Sequence, residues 1–143
     1  MAAILSVKGR AVFSISPDAT VYEAITQLAE RNIGALLVLE GDRLVGIFSE
    51  RDYTRNLALK GRASKYTPVF DVMSTEVVTV APQATLAACM ETMTARRVRH
   101  LAVLENGRVV GVISIGDLVG FIIATQREAI EYLEGYIAGS YPR

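Results

Sequence analysis

Apolar residues at Val21, Ala24, Ile25 and Leu28 have the i, i+3, i+4, i+7 spacing of an amphipathic helix and predict one from about Val21 to Arg31. Pro17-Asp18 supplies a turn before it. Thr20 with Glu23 three residues on has the form of a capping box, which fixes the helix start. Two short apolar runs follow, Ala35 to Leu39 and Leu44 to Phe48, separated by Glu40-Gly41-Asp42-Arg43 in the pattern of a β-hairpin. A second helix is predicted from about Glu50 to Leu59. The unit reads strand, helix, strand, strand, helix.

The same unit returns 65 positions later. Residues 14–59 align with 79–124 without a gap, with identities that include Pro17/Pro82, Thr20/Thr85, Gly46/Gly111, Ser49/Ser114 and Asp52/Asp117. A three-stranded sheet with helices on one face cannot cover itself, so the two copies are expected to pack sheet against sheet about a pseudo-twofold axis, an α+β fold. The chain divides into repeat 1 (12–59), a linker and lead-in (60–76), repeat 2 (77–124) and a C-terminal helical extension and tail (125–143). The linker stretch Lys60 to Pro68 is polar and breaker-rich, which predicts a solvated loop. In the extension, Val119, Ile122, Ile123, Ile130, Leu133 and Ile137 form an apolar stripe that needs cover. Docking back onto the same molecule and a homodimer contact are the two alternatives.

Composition narrows the class. The 143 residues carry 15 Lys+Arg against 15 Asp+Glu and are 51% hydrophobic, as in an ordinary soluble domain with a sizeable core. Balanced charge supplies no general attraction to nucleic acid. The N-terminus reaches Lys8 too soon for a signal peptide, and the apolar stretch Leu118 to Ala124 is too short for a membrane span. A cytoplasmic, soluble protein is expected. The single cysteine, Cys89, falls within a helical pattern and is read as a structural core residue.

No HExxH, CxxC, GxSxG or Walker motif and no paired-carboxylate signature is present, and the chain has one histidine, so an enzyme reading starts poorly. The informative segments are Gly46-Ile47-Phe48-Ser49-Glu50-Arg51-Asp52 and Gly111-Val112-Ile113-Ser114-Ile115-Gly116-Asp117, each a strand running into a helix start. Capping alone explains a serine with an acid three residues on. Against that, a glycine inside a β-branched strand often marks the close approach of a ligand or another backbone. An ionised Asp is also acceptor-only and matches the two hydroxyl donors of a ribose diol, while a nearby serine hydroxyl and free backbone N–H groups suit a phosphate.

The paired Gly-x-x-Ser-x-x-Asp pattern, with Pro17-x-x-Thr20 and Pro82-x-x-Thr85 upstream, resembles tandem CBS-domain (cystathionine β-synthase domain) proteins of the stand-alone bacterial type, over about residues 12 to 124. The resemblance implies a regulatory module whose clefts between the repeats bind adenosine derivatives such as AMP, ADP, ATP, NAD(H) or S-adenosylmethionine, and which modulates a partner protein without turnover. It assigns Asp52 and Asp117 to ribose hydroxyls, Ser49 and Ser114 to phosphate, and Thr79, with its counterpart Ser14, to a phosphate or ribose oxygen. Ile15, Ala35, Val80 and His100 would bracket adenine. The copies differ at the clefts: Arg51 supplies a cation to one, while in the other Gly116 admits a backbone and Arg97, Arg99 and His100 bring positive charge. Arg96, Arg97 and Arg99 also suit a solvated helix end, and His100 a hydrogen-bonded rim residue. Lys8 and Arg10 either reach phosphates or are solvated loop cations. The alternatives to a nucleotide sensor are a structural dimerisation module with empty clefts and, less favoured, a nucleotide-processing enzyme.

Overall fold

The computed structural model describes residues 3–4 and 12–137. Repeat 1 runs β1 (Ser14–Ile15), α1 (Val21–Arg31), β2 (Ala35–Glu40), β3 (Arg43–Ser49) and α2 (Glu50–Asp52), which continues as a π-helical turn, Tyr53–Ala58. After two 3-10 turns, Ser64–Tyr66 and Val69–Asp71, repeat 2 runs β4 (Thr79–Val80), α3 (Leu86–Arg96), β5 (His100–Glu105), β6 (Arg108–Ser114) and α4 (Ile115–Ile137). Each repeat forms its own three-stranded sheet, with the middle strand parallel to the first and antiparallel to the third.

Helix α1 begins where the capping box places it. Thr20 Oγ1 accepts from the Glu23 N–H at 3.1 Å, and the Thr20 N–H donates to Glu23 Oε2 at 3.1 Å. Its apolar stripe buries Val21, Ala24 and Leu28, and it stops at Asn32 in the left-handed conformation, φ 52°. In α3, Thr85 Oγ1 likewise accepts from the Ala88 N–H at 3.1 Å, and the helix ends at Arg97, φ 54°.

Strand alternation gives each sheet two faces. In repeat 1, Leu36, Val38 and Phe48 turn towards α1 and form a core with Ile15, Val21, Leu28, Leu57, Val69 and Val72. Leu101, Val103 and Ile113 do the same in repeat 2, with Cys89, Met93 and Leu118. Cys89 is fully buried, and that burial pushes its thiol pKa up, as expected of a core cysteine. On the opposite faces, Leu37 and Ala102 are 1% and 0% exposed, so these faces are covered as well. Leu37 pairs with Ile47 and Ala102 with Val112, and those partners line the clefts where the repeats meet.

Three expectations change. The second helix of repeat 1 is α-helical only to Asp52. Beyond it, Leu59 N–H donates five residues back to Thr54 O at 3.0 Å, while Asn56 Nδ2 donates to Val72 O at 3.2 Å and Leu57 is buried, so tertiary contacts widen the turn. Within the stretch Lys60 to Pro68, exposure is confined to Lys60–Ala63 and Lys65-Tyr66. Thr67 is buried, its carbonyl accepts from the Val21 N–H at 2.9 Å, and Val69 and Val72 enter the core of repeat 1. Lastly, the α4 stripe does not dock back: Val119, Ile123, Ile130 and Leu133 remain 43–56% exposed. The Ile137 side chain lies outside those described.

Candidate functional site

The alternation that puts Leu37 and Ile47 on the inter-repeat face puts Ala35 and Ser49 there too, and His100 and Ser114 in repeat 2. Two clefts result. The first, about 500 Å³, takes Ile47, Ser49 and Asp52 from repeat 1 and Val78, Val98 and His100 from repeat 2. The second, about 290 Å³, takes Val112, Ser114 and Asp117 from repeat 2 and Phe13, Ile33 and Ala35 from repeat 1. Shifting one set by 65 positions gives the other with the repeats exchanged, which is the signature of a pseudo-twofold relation. Gly34, His100 and Ser114 line both clefts, so the two share a wall.

Each Ser–Asp pair is a capping box. Asp52 Oδ2 accepts from the Ser49 N–H at 2.9 Å and from Ser49 Oγ at 3.0 Å, and the Asp52 N–H donates to Ser49 Oγ at 3.3 Å. Asp117 Oδ2 accepts from the Ser114 N–H at 2.8 Å, and the Asp117 N–H donates to Ser114 Oγ at 3.1 Å. The capping role and a ligand role are therefore compatible at Asp52, because the bonds from Ser49 use one carboxylate oxygen, Oδ2, and leave the other as an acceptor. Burial holds the Asp52 pKa above its ordinary value, opposed by the hydrogen bonds from Ser49 and by the charges of Arg51 and Arg55. The Ser49 hydroxyl is already donated to Asp52, so it reaches a phosphate only by rotating away; Ser114 Oγ acts here as an acceptor.

The structure brings together most of the residues singled out from sequence. Ser49, Arg51 and Asp52 line the first cleft, Ala35 and Asp117 the second, and His100 and Ser114 both; Arg97 and Arg99, expected beside Gly116, instead join Arg51 in the first cleft, because each cleft pairs the Ser–Asp end of one repeat with the strand entry of the other. Ser14 and Thr79 sit on β1 and β4 outside the lining, and Gly116 is exposed at the start of α4. Ile15 and Val80 turn away from the clefts, Ile15 into the first core and Val80 against the second. Lys8 and Arg10 lie outside the described residues. Sequence reasoning missed Arg55, Glu76 and Asn32. The signal for Arg55 was its i+4 spacing from Arg51, which places the two on one side of the turn.

Gly46 has a different reason from the ligand approach considered above. Gly46 belongs to the core-side alternation with Phe48, not to the cleft side with Ile47 and Ser49. A Cβ there would lie 2.6 Å from Met73 Sδ and 2.8 Å from Ser74 O. Another backbone approaches at this point. Ile47 and Ser74 exchange two backbone hydrogen bonds of 2.9 Å, closing the lead-in to repeat 2 onto the edge of β3.

Among the described residues no group of three His, Cys, Asp or Glu side chains is arranged to hold a metal ion, and no helix is long and apolar enough to cross a membrane.

Comparison with known proteins agrees with this construction. The CBS domain family matches residues 6–59 and 69–124. The chain is 40% identical over 129 residues to the CBS domain-containing protein CBSX3, mitochondrial, of Arabidopsis thaliana, covering 87% of this chain and 63% of that one. A putative signal-transduction protein with CBS domains from Burkholderia ambifaria superposes with a TM-score of 0.85 at 45% identity, covering 88% of this chain and 95% of that one. A CBS domain protein from Pyrobaculum aerophilum complexed with AMP superposes with a TM-score of 0.72 at 28% identity, covering 81% and 87%. Two sheets of equal topology, two exchanged clefts and two family matches in register make one statement: the chain belongs to the CBS-domain family and carries two tandem CBS domains.

Proposed function

We propose that this chain is a regulatory module that binds adenosine nucleotides, among them AMP, ADP, ATP and NAD(H), and modulates a partner protein as its occupancy changes. One observation carries the reading: each cleft joins a Ser–Asp pair from one repeat to the strand-entry residues of the other. A ligand there touches both repeats at once. It therefore favours whichever arrangement of the repeats it fits best and shifts the population towards it, which is how binding energy becomes a signal. The AMP complex of the Pyrobaculum protein supports the ligand class.

In this reading Asp52 and Asp117 accept hydrogen bonds from ribose hydroxyls, and Ser49 and Ser114 contact phosphate. Thr79 and Ser14 add phosphate or ribose contacts from the edges. Ala35 and His100 flank adenine, with the backbone of Ile15 and Val80 rather than their side chains. The module binds and signals; it does not turn its ligand over. The exposed α4 stripe favours a homodimer.

The test is calorimetric titration with AMP and 2′-deoxy-AMP. Loss of one hydroxyl from a charged acceptor is expected to weaken binding by about 1.5–3 kcal/mol. Equal affinity for the two removes the ribose role from both aspartates, and the absence of binding by any adenosine compound removes the sensor reading in favour of a structural dimerisation module.

A further inference from the structure

Helix α4 runs on to Ile137, past the repeated unit that ends at residue 124, and its exposed face has a finer pattern than a plain stripe. Val119, Ile123, Gln126, Ile130, Leu133 and Ile137 follow one another in alternating steps of four and three residues, the a and d positions of a coiled-coil seam. Five of the six are apolar. Val119, Ile123, Ile130 and Leu133 are 43–56% exposed, so the described residues leave the seam uncovered.

The charges beside the seam say what covers it. In the same frame Arg127 and Glu134 both occupy e, on one flank, and Ile122 and Ala129 occupy g on the other. Arg127 and Glu134 are exposed, and neither takes part in an ion pair among the described residues. They lie seven residues apart, about 10 Å along the helix, too far to pair with each other within one copy. A parallel second helix would set e against g, where both charges meet only Ile122 and Ala129. An antiparallel copy sets e against e in reverse order, so Arg127 faces the partner's Glu134 and Glu134 faces the partner's Arg127. Opposite signs match twice about a twofold axis between Ile130 and Leu133.

We infer that the distal half of α4 is an association surface for a second copy of this chain, pairing antiparallel with its α4, with Ile130 and Leu133 at the centre of the seam and the direction fixed by reciprocal Arg127–Glu134 ion pairs. Burial of the apolar seam supplies the affinity, and the flanking charges choose the orientation. Gln126 is the one polar core position; a single polar residue in such a seam lowers stability and holds the register. This inference rests on the homodimer proposed above and is independent of what the clefts bind.

The experiment is sedimentation velocity of the full chain over a concentration series, for the native protein, Arg127→Glu, Glu134→Arg and the double variant, with circular dichroism to show the fold unchanged. The native chain is expected to dimerise. Each single variant sets like charges together at both contacts and is expected to raise the dissociation constant about tenfold or more. The double variant exchanges the signs and is expected to return to within about threefold of native. An equimolar mixture of the two single variants is expected to form a heterodimer tighter than either variant forms alone, because every facing pair is then opposite in sign. Added salt is expected to weaken the native dimer and to strengthen the single variants. A native dimer indifferent to both single substitutions, or a double variant no tighter than the single ones, overturns the antiparallel pairing and leaves the homodimer standing. A native chain that stays monomeric at every concentration overturns the two together and gives the seam to a different protein.

Discussion

Substituting Gly46 by alanine tests whether this glycine serves a backbone crossing. The added Cβ sits 2.6 Å from Met73 Sδ, 3.1 Å from Met73 Cγ and 2.8 Å from Ser74 O. Methionine can swing aside, but Ser74 O cannot move without loosening its 2.9 Å bond from the Ile47 N–H. Overpacking of this kind costs about 1–3 kcal/mol, and loss of a backbone hydrogen bond about 0.5–1.5 kcal/mol more. Gly46→Ala should therefore destabilise the fold by about 2–4 kcal/mol, lowering Tm by about 5–15 °C for a chain of this size. The assay is urea denaturation followed by circular dichroism, with an unchanged m-value. A second variant separates the two contacts. Adding Met73→Ala relieves the sulfur but not the carbonyl, so most of the loss should remain. A loss below about 0.5 kcal/mol, or its near-complete recovery in the double variant, refutes the backbone argument. Unchanged stability with lost nucleotide binding would assign the glycine to the ligand.

Three further outcomes follow from the geometry. Because burial raises the Asp52 pKa in the folded chain, the fold binds a proton more readily there than the unfolded chain does, and stability from this group falls as pH rises above the ordinary value of 3.8. Asp52→Asn should therefore stabilise the ligand-free protein at pH 7, with the gain shrinking as pH falls towards that value; denaturation midpoints across pH check it, and a gain that grows on acidification contradicts it. Thr20→Ala and Thr85→Ala should each cost about 0.5–2 kcal/mol in urea denaturation, since each hydroxyl accepts from the N–H three residues on at 3.1 Å; no loss at either would deny the cap its role. Ile130→Glu with Leu133→Glu should shift a dimer to monomer in sedimentation velocity with the fold unchanged, as both side chains are more than half exposed; a native chain that already sediments as a monomer rules the contact out.

The repeat, the α1 helix and both hairpins were legible because each rests on local rules: a 3.6-residue stripe, a capping box, alternation broken by a turn. The pseudo-twofold exchange was legible for a different reason, since a constant offset in sequence becomes a rotation in space. What the sequence left open depended on distant contacts. The π-helical turn after Asp52 is drawn out by Asn56 reaching Val72 and by Leu57 entering the core. Thr67, Val69 and Val72 look like linker, yet they cover the start of α1 and its sheet. Ser–Asp spacing announced capping and a diol acceptor alike, and the geometry shows how one carboxylate serves the first without losing the second. Ile15 and Val80 were placed near adenine by position in the repeat, whereas strand alternation turns their side chains to the cores.

The central claim, that each cleft holds an adenosine ligand between an aspartate of one repeat and the strand entries of the other, is tested most directly by a crystal structure of the chain grown with AMP. The account requires ribose hydroxyls within about 2.5–3.0 Å of a carboxylate oxygen of Asp52 or Asp117, with residues of both repeats touching the nucleotide. Aspartates bound only to Ser49 and Ser114, beside clefts without nucleotide at saturating AMP, would contradict it.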